Sequence, residues 1–130
     1  MHRLQVMSHD TEVVSFEEMF ARLEGPWQPR VVAAMNETLF KVAWIEGEFV
    51  WHQHDDTDEA FLVMEGTLLM DLEDRTVEVG PGEMYVVPAG TQHRPRSEAG
   101  CRCVVIEPEG VRNTGESENE RTVETDVWLV

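Results

Sequence analysis

From residue 31 onward, apolar residues come in short runs, several of them alternating with polar ones, and turn-forming residues separate the runs. VVAAM, TLFKVAWIE, EFVWHQH, AFLVMEG, TLLMDLE, TVEVG, EMYVVPAG and CRCVVIE read as strands. The breaks fall at Asn36-Glu37, at the DDTD of residues 55–58, at Glu73-Asp74 and at Gly80-Pro81-Gly82. Short strands at this spacing predict an all-β sandwich or barrel, with closure limiting its exposed edges. Some strands, such as those carrying LLM and YVV, are apolar on both faces. One face fills the barrel and the other meets a helix, a tail or a second subunit.

The flanks behave differently. Ser15 with Glu18 three positions on forms a capping box, and Phe16, Met19, Phe20 and Leu23 follow at helical spacing. This predicts a helix at about 15–24, stopped by Gly25-Pro26 and laid over the sheet. After Asn113-Thr114-Gly115 the chain is polar and charged until it ends in Val-Trp-Leu-Val, residues 127–130. A disordered tail would not normally end in that way, so this end is expected to dock on the barrel or on a partner. The organisation expected is an N-terminal segment over 1–30, a barrel over 31–109 and an acidic C-terminal segment over 110–130 with a docked apolar end.

A chain of 130 residues is one domain, long enough to bury a core. Its 26 acidic and 10 basic residues give a net charge of −16, which repels phosphate backbones and anionic membranes. Nucleic-acid binding is therefore excluded as a main function. The acids cluster at 55–59 and 107–126 and read as a solvated surface. No run of some 18 apolar residues is present, so no membrane span is expected. The start, MHRLQVMSHDTEVV, lacks the apolar core of a signal peptide, and a cytoplasmic location is expected. Cys101 and Cys103 lie two apart in an apolar stretch and read as buried thiols.

Candidate chemistry concentrates in residues 47–66 and 82–93. His52 and His54, two apart on a strand, would aim two imidazoles at one point. After the DDTD turn, a hairpin would bring Glu59 back opposite them, and His93, past a Pro-x-Gly turn, could close the set. Of the five histidines only His2 and His9 lie elsewhere, in the N-terminal segment, and these read as exposed. Three imidazoles and one carboxylate suit a first-row transition metal and leave positions open for exchangeable ligands.

At these residues the chain resembles the cupin superfamily. Gly47, His52, His54, Glu59 and Gly66 follow its first motif, with Gly47 one residue nearer the histidines than is usual. Gly82, Pro88, Gly90 and His93 follow the second, with Ser97 where asparagine is usual. The likeness extends over roughly 31–108 and is strongest to the small single-domain proteins labelled mannose-6-phosphate isomerase-like. It implies a double-stranded β-helix, or jelly-roll, barrel and a divalent transition metal (manganese, iron, nickel or zinc) on His52, His54, Glu59 and His93. It also adds to the case for a homodimer, which the apolar strand faces, the four tryptophans and the VWLV end already favour.

Simple alternation from inward histidines would place Glu48 and Val50 inside with Phe61 and Val63, and Phe49 and Trp51 outside. Tyr85 could offer a hydroxyl but reads as packed. Arg94 and Arg96 could receive an anion, but alternation from His93 points both outward. Two classes of function remain. One is a metal-dependent enzyme acting on a small oxygenated metabolite in the barrel, by isomerase-, lyase- or dioxygenase-type chemistry. The other is a binding module without turnover. No acid or base beside the open positions can be named from the sequence, because Glu59 is already a ligand.

Overall fold

The computed structural model describes residues 13–129. His2, His9 and Val130 lie outside the described residues. The helix α1, Phe16–Ala21, is shorter than its apolar spacing suggests. Its N-terminus is capped as expected, the Ser15 side chain accepting from the Glu18 N–H at 3.3 Å. No residue of α1 is fully buried. Seven strands follow: β1 Arg30–Met35, β2 Thr38–Glu48, β3 Glu59–Glu65, β4 Leu68–Leu72, β5 Thr76–Val79, β6 Met84–Val87 and β7 His93–Pro108.

All strand pairs are antiparallel, and hydrogen-bonded neighbours run in the order β1-β2-β7-β3-β6. β4 pairs β5 on one side and the first part of β7 on the other. β7 is therefore the spine. Residues 93–97 serve β4 and the end of β2, while 101–108 lie between β2 and β3. Pro95 and the Ser-Glu-Ala-Gly run that follows it hide the first part of this strand in the sequence. Inside, Ile45, Phe61, Val63, Leu68, Met70 and Cys103 belong to one buried cluster, and Tyr85 packs against it. Both cysteines are buried free thiols.

Two glycines are required by close backbone approach. Gly66, at φ 82°, lies where a Cβ would run into the Gly100 carbonyl, and Gly115, at φ 69°, where one would run into that of Gln53. The second contact seats the C-terminal segment on the histidine-bearing stretch. That segment then reaches β1. Val31 N donates to Val127 O at 2.8 Å and Leu129 N to Val31 O at 3.0 Å, forming a parallel bridge between Val31 and Trp128. Among the described residues, no helix is long and apolar enough to cross a membrane.

Candidate metal centre

His52 and His54 are not on a regular strand. β2 ends at Glu48, and beyond it the chain keeps contact with β7 through Phe49 N to Pro95 O at 3.0 Å and a reciprocal bridge between His52 and His93. Three residues on one side therefore span two on the other, which is a β-bulge. The slip reverses the alternation expected from the histidines. Phe49 faces inward and is buried, Glu48 is exposed, and Trp51 stays outside. Glu59 also arrives differently from expectation. β3 pairs with β6 and β7 and makes no hairpin with the histidine stretch, so Glu59 stands opposite Val87.

The Pro-x-Gly turn and the acidic turn hold the arrangement. Gly90 N donates to His54 O at 2.8 Å, and Ala89 N to the Asp58 carboxylate at 2.9 Å. Gln92 Nε2 reaches Gln53 Oε1 at 3.0 Å. These bonds tie the segment before His93 to the segment around His54 and explain why both turns accompany the ligands.

His52, His54, Glu59 and His93 are all buried, and one potential ligand atom from each lies within 4.8 Å of the others. His54 Nε2 and His93 Nε2 are each 3.3 Å from Glu59 Oε1. The ring centroids of His52 and His93 are 4.2 Å apart. His52 Nδ1 lies 2.9 Å from Val50 O, and His93 Nδ1 lies 2.9 Å from Thr91 O. A carbonyl only accepts, so these Nδ1 atoms carry the proton and Nε2 keeps its lone pair, as a metal ligand requires. His54 Nε2, although near Glu59, makes no hydrogen bond and is buried. A buried imidazole nitrogen without a hydrogen bond, among three other convergent donors, fits a cation site, and the donor set fits a divalent transition metal.

Charge follows the same logic. Burial, with His93 next, pushes the His52 imidazole down to about 4. Burial alone would raise the Glu59 carboxyl, but the His54 and His93 ring nitrogens, each 3.3 Å from Oε1, outweigh it and hold Glu59 well below the usual range. His52 is thus held neutral beside the Glu59 carboxylate.

Residues 39–107 match the family model described as Cupin_2, cupin domain. The chain belongs to the cupin family. The cupin-2 domain containing protein of Shewanella frigidimarina superposes with a TM-score of 0.73 at 47% identity, over 74% of this chain and 94% of that one. NMB1881 of Neisseria meningitidis gives 0.70 at 33% identity, over 75% and 99%. The uncharacterized protein YdbB of Bacillus subtilis strain 168 is 39% identical over 67 residues, 51% of this chain. The cupin spans only 59% of the length of that curated relative.

A cavity of about 60 Å3 opens beside the cluster. Its walls include Trp27, Phe49, Phe61 and Val105, with His52 and Glu59 at the ligand side. Trp27 stacks on Phe49 at 4.8 Å between centroids. Val63 is instead part of the buried cluster and does not line the cavity. Arg94 and Arg96 face away, as alternation predicts, but are bound to Asp71.

Glu107 is one of the wall residues that the sequence reading does not place in the cavity. Sequence reasoning counts it with the surface acids, yet it is buried, with Lys41 2.7 Å from its Oε2 and a hydrogen bond shared with the Glu59 carboxyl. Burial first, and the neighbouring Glu59 second, push the Glu107 carboxyl well above the usual range despite Lys41. A signal existed. Glu107 follows Cys101, Cys103 and Val105 in the same inward phase of β7, and Lys41 precedes Ala43 and Ile45 in that of β2.

Proposed function

We propose that this cupin is a metal-dependent enzyme acting on a small oxygenated metabolite, by isomerase-, lyase- or dioxygenase-type chemistry. The observation behind this reading is a set of four buried donors, two of which, His52 and Glu59, stand on the wall of a cavity that is otherwise mostly aromatic and aliphatic. Held by His52, His54, Glu59 and His93, a divalent manganese, iron, nickel or zinc ion would supply Lewis acidity or, as iron, dioxygen chemistry.

The chain's own residues do the rest. Val50 and Thr91 carbonyls orient two of the imidazoles, and the Trp27–Phe49 stack keeps bulk water off one side. The cavity also limits size. A void of roughly 150 Å3 holds benzene, and this one is about 60 Å3. It suits a short keto or hydroxy acid better than the hexose phosphate suggested by the mannose-6-phosphate subgroup label.

The test is elemental analysis of protein purified from its own host, followed by turnover of short keto and hydroxy acids with and without dioxygen. Stoichiometric metal and conversion of one class are expected. Protein that takes up none of manganese, iron, nickel or zinc would sink the reading, and metal uptake with binding but no conversion would leave a binding module. A homodimer is part of the proposal. Met64, Met84 and Val86 share the outer face of β3 and β6 at 44%, 55% and 44% exposure. Light scattering is expected to give twice the 14.9 kDa chain mass, and a single-chain mass would reject it.

A further inference from the structure

Gly110 N donates to Asp126 Oδ2 at 2.7 Å, which brings the two ends of residues 110–126 together. Asp126 Oδ1 lies 2.9 Å from Lys41 on β2, so the same carboxylate ties this neck to the barrel. The segment is an Ω-loop, packed by its own side chains. Arg112 Nε donates to Gly115 O at 2.8 Å, and the Asn113 amide spans the loop between Arg121 O and Val123 N, at 2.9 and 3.1 Å. Thr114 Oγ1, on a fully buried residue, lies 2.6 Å from Ser117 O and 2.7 Å from Thr122 Oγ1. None of these bonds reaches the barrel, so the loop can move as one body without breaking them.

This loop borders the metal centre. Asn113 belongs to the wall of the cavity that His52 and Glu59 line. A second recess, of about 350 Å3, lies between Arg112 and Glu116 of the loop and His54 and Asp56. Two spaces that touch the cluster are therefore bounded by the same segment. Beyond the neck, Arg121 and Gly115 hold it down. The Arg121 guanidinium sits 5.4 Å from the centroid of the Trp27 ring, and its Nη2 donates to Glu48 O at 3.2 Å. Gly115 seats against the Gln53 carbonyl, where a Cβ has no room. Trp27 is itself a cavity wall, so Arg121 fastens the loop to the cavity's edge.

We propose that residues 110–126 are a lid that swings about the Gly110–Asp126 neck to open the metal centre, with Arg121 as its latch. This rests on the metal-dependent reading of the same site. Shut, as here, the loop leaves a cavity of about 60 Å3. Opening withdraws Asn113 from the cavity wall and frees the face of Trp27 that Arg121 covers. Closing shields the centre from bulk water. The neck stays in place throughout, because Lys41 holds Asp126 from the buried side of β2.

The experiment follows removal of metal by EDTA, at low urea concentrations, from protein loaded with whichever of manganese, iron(II), nickel or zinc it takes up. Wild type is compared with Arg121→Ala, which removes the latch from a half-buried position and is expected to fold. Stripping is expected to be roughly tenfold faster in the variant, at unchanged metal stoichiometry. In both proteins its rate is expected to depend only weakly on urea. A moving lid exposes little surface, whereas release through unfolding rises steeply with denaturant. An equal rate in the two proteins, or a steep urea dependence, overturns the lid. A second measurement needs no metal. Spin labels at Glu118→Cys on the loop and Asp74→Cys on the barrel, both exposed positions, report the distance between the two bodies, the native cysteines being buried. Arg121→Ala is expected to lengthen or broaden that distance, and an unchanged distribution rejects the proposal. Wild type that takes up no metal overturns the reading beneath it, and the label distances then decide the lid by themselves.

Discussion

Asp71 and Glu107 are both 5% exposed, and both lie on strands that pair with β2 or β7, yet the barrel treats them in opposite ways. Asp71 is saturated. Its Oδ1 accepts from Thr76 Oγ1 at 2.7 Å and Arg96 Nη2 at 3.1 Å, and its Oδ2 from Arg96 Nε at 2.7 Å and from two Arg94 nitrogens at 3.0 and 2.9 Å. Arg96 above all, with Thr76 and Arg94, holds its carboxyl well below the usual range. Glu107 has Lys41 on one side and the Glu59 carboxyl on the other, and burial with Glu59 pushes its carboxyl well above the usual range. Burial by itself therefore does not mark function. What separates a buried carboxyl that fastens strands from one beside the metal centre is the charge it meets: two guanidiniums hold Asp71 ionised, whereas a second carboxyl opposes ionisation of Glu107.

The two regions are expected to fail independently. His52→Ala/His54→Ala abolishes stoichiometric metal uptake, measured by elemental analysis. A chelator then lowers the melting temperature of wild type but not of the variant. With metal at about a hundred times its dissociation constant, the stabilisation lost is about 3 kcal/mol. Asp71→Ala, which strands two half-exposed arginines, costs about 2–3 kcal/mol in denaturant titration and leaves metal uptake intact. Loss of metal in Asp71→Ala would show that the clamp and the centre are one unit, since Asp71 and Leu72 pair with Arg94 and His93.

This division also governs what the sequence could reveal. Spacing together with the cupin motifs brought out the four residues that could hold a metal, because side chains must converge for an ion and the two turns that position them need Gly, Pro and Asp. The barrel was legible from the alternating runs, whereas the first part of β7 was not, since Pro95 and Gly100 mimic a loop. Phe49 was placed on the wrong face because a single-residue bulge leaves no mark in composition. Glu107 and Lys41 were obscured by their type. Charged residues are read as surface unless their phase is checked against neighbours such as Val105 and Ala43, and their pairing is long-range.

Acid titration offers a finer separation. In metal-free protein, His52 has a folded value of about 4 against 6.5 unfolded, so the stability tied to its neutral form is whole above 6.5 and is lost as the pH falls towards about 4. Asp71 is also depressed, but from an ordinary value of 3.8, so its contribution is whole above that value and is lost only at lower pH. Unfolding free energies of chelated wild type are thus expected to decline in the upper window. His52→Gln flattens that decline, and Asp71→Asn leaves it unchanged. A decline in the upper window that disappears in Asp71→Asn would reverse the assignment.

The smallest expected effect probes the saturation itself. Thr76→Val keeps the shape of the side chain and removes one donor to Asp71 Oδ1, which still receives Arg96 Nη2. Because neither oxygen is left bare, only the net worth of one hydrogen bond is lost, about 0.5–1.5 kcal/mol, and no desolvation penalty is added. Valine is also a good strand former, and Thr76 is exposed at the start of β5, so pairing of β4 with β5 is unaffected. A loss well above 2 kcal/mol, by the same denaturant titration, would mean that Asp71 depends on each of its donors. The state of Asp71 would then depend on its hydroxyl donor as well as on the two guanidiniums, and the contrast with Glu107 would not rest on neighbouring charge alone.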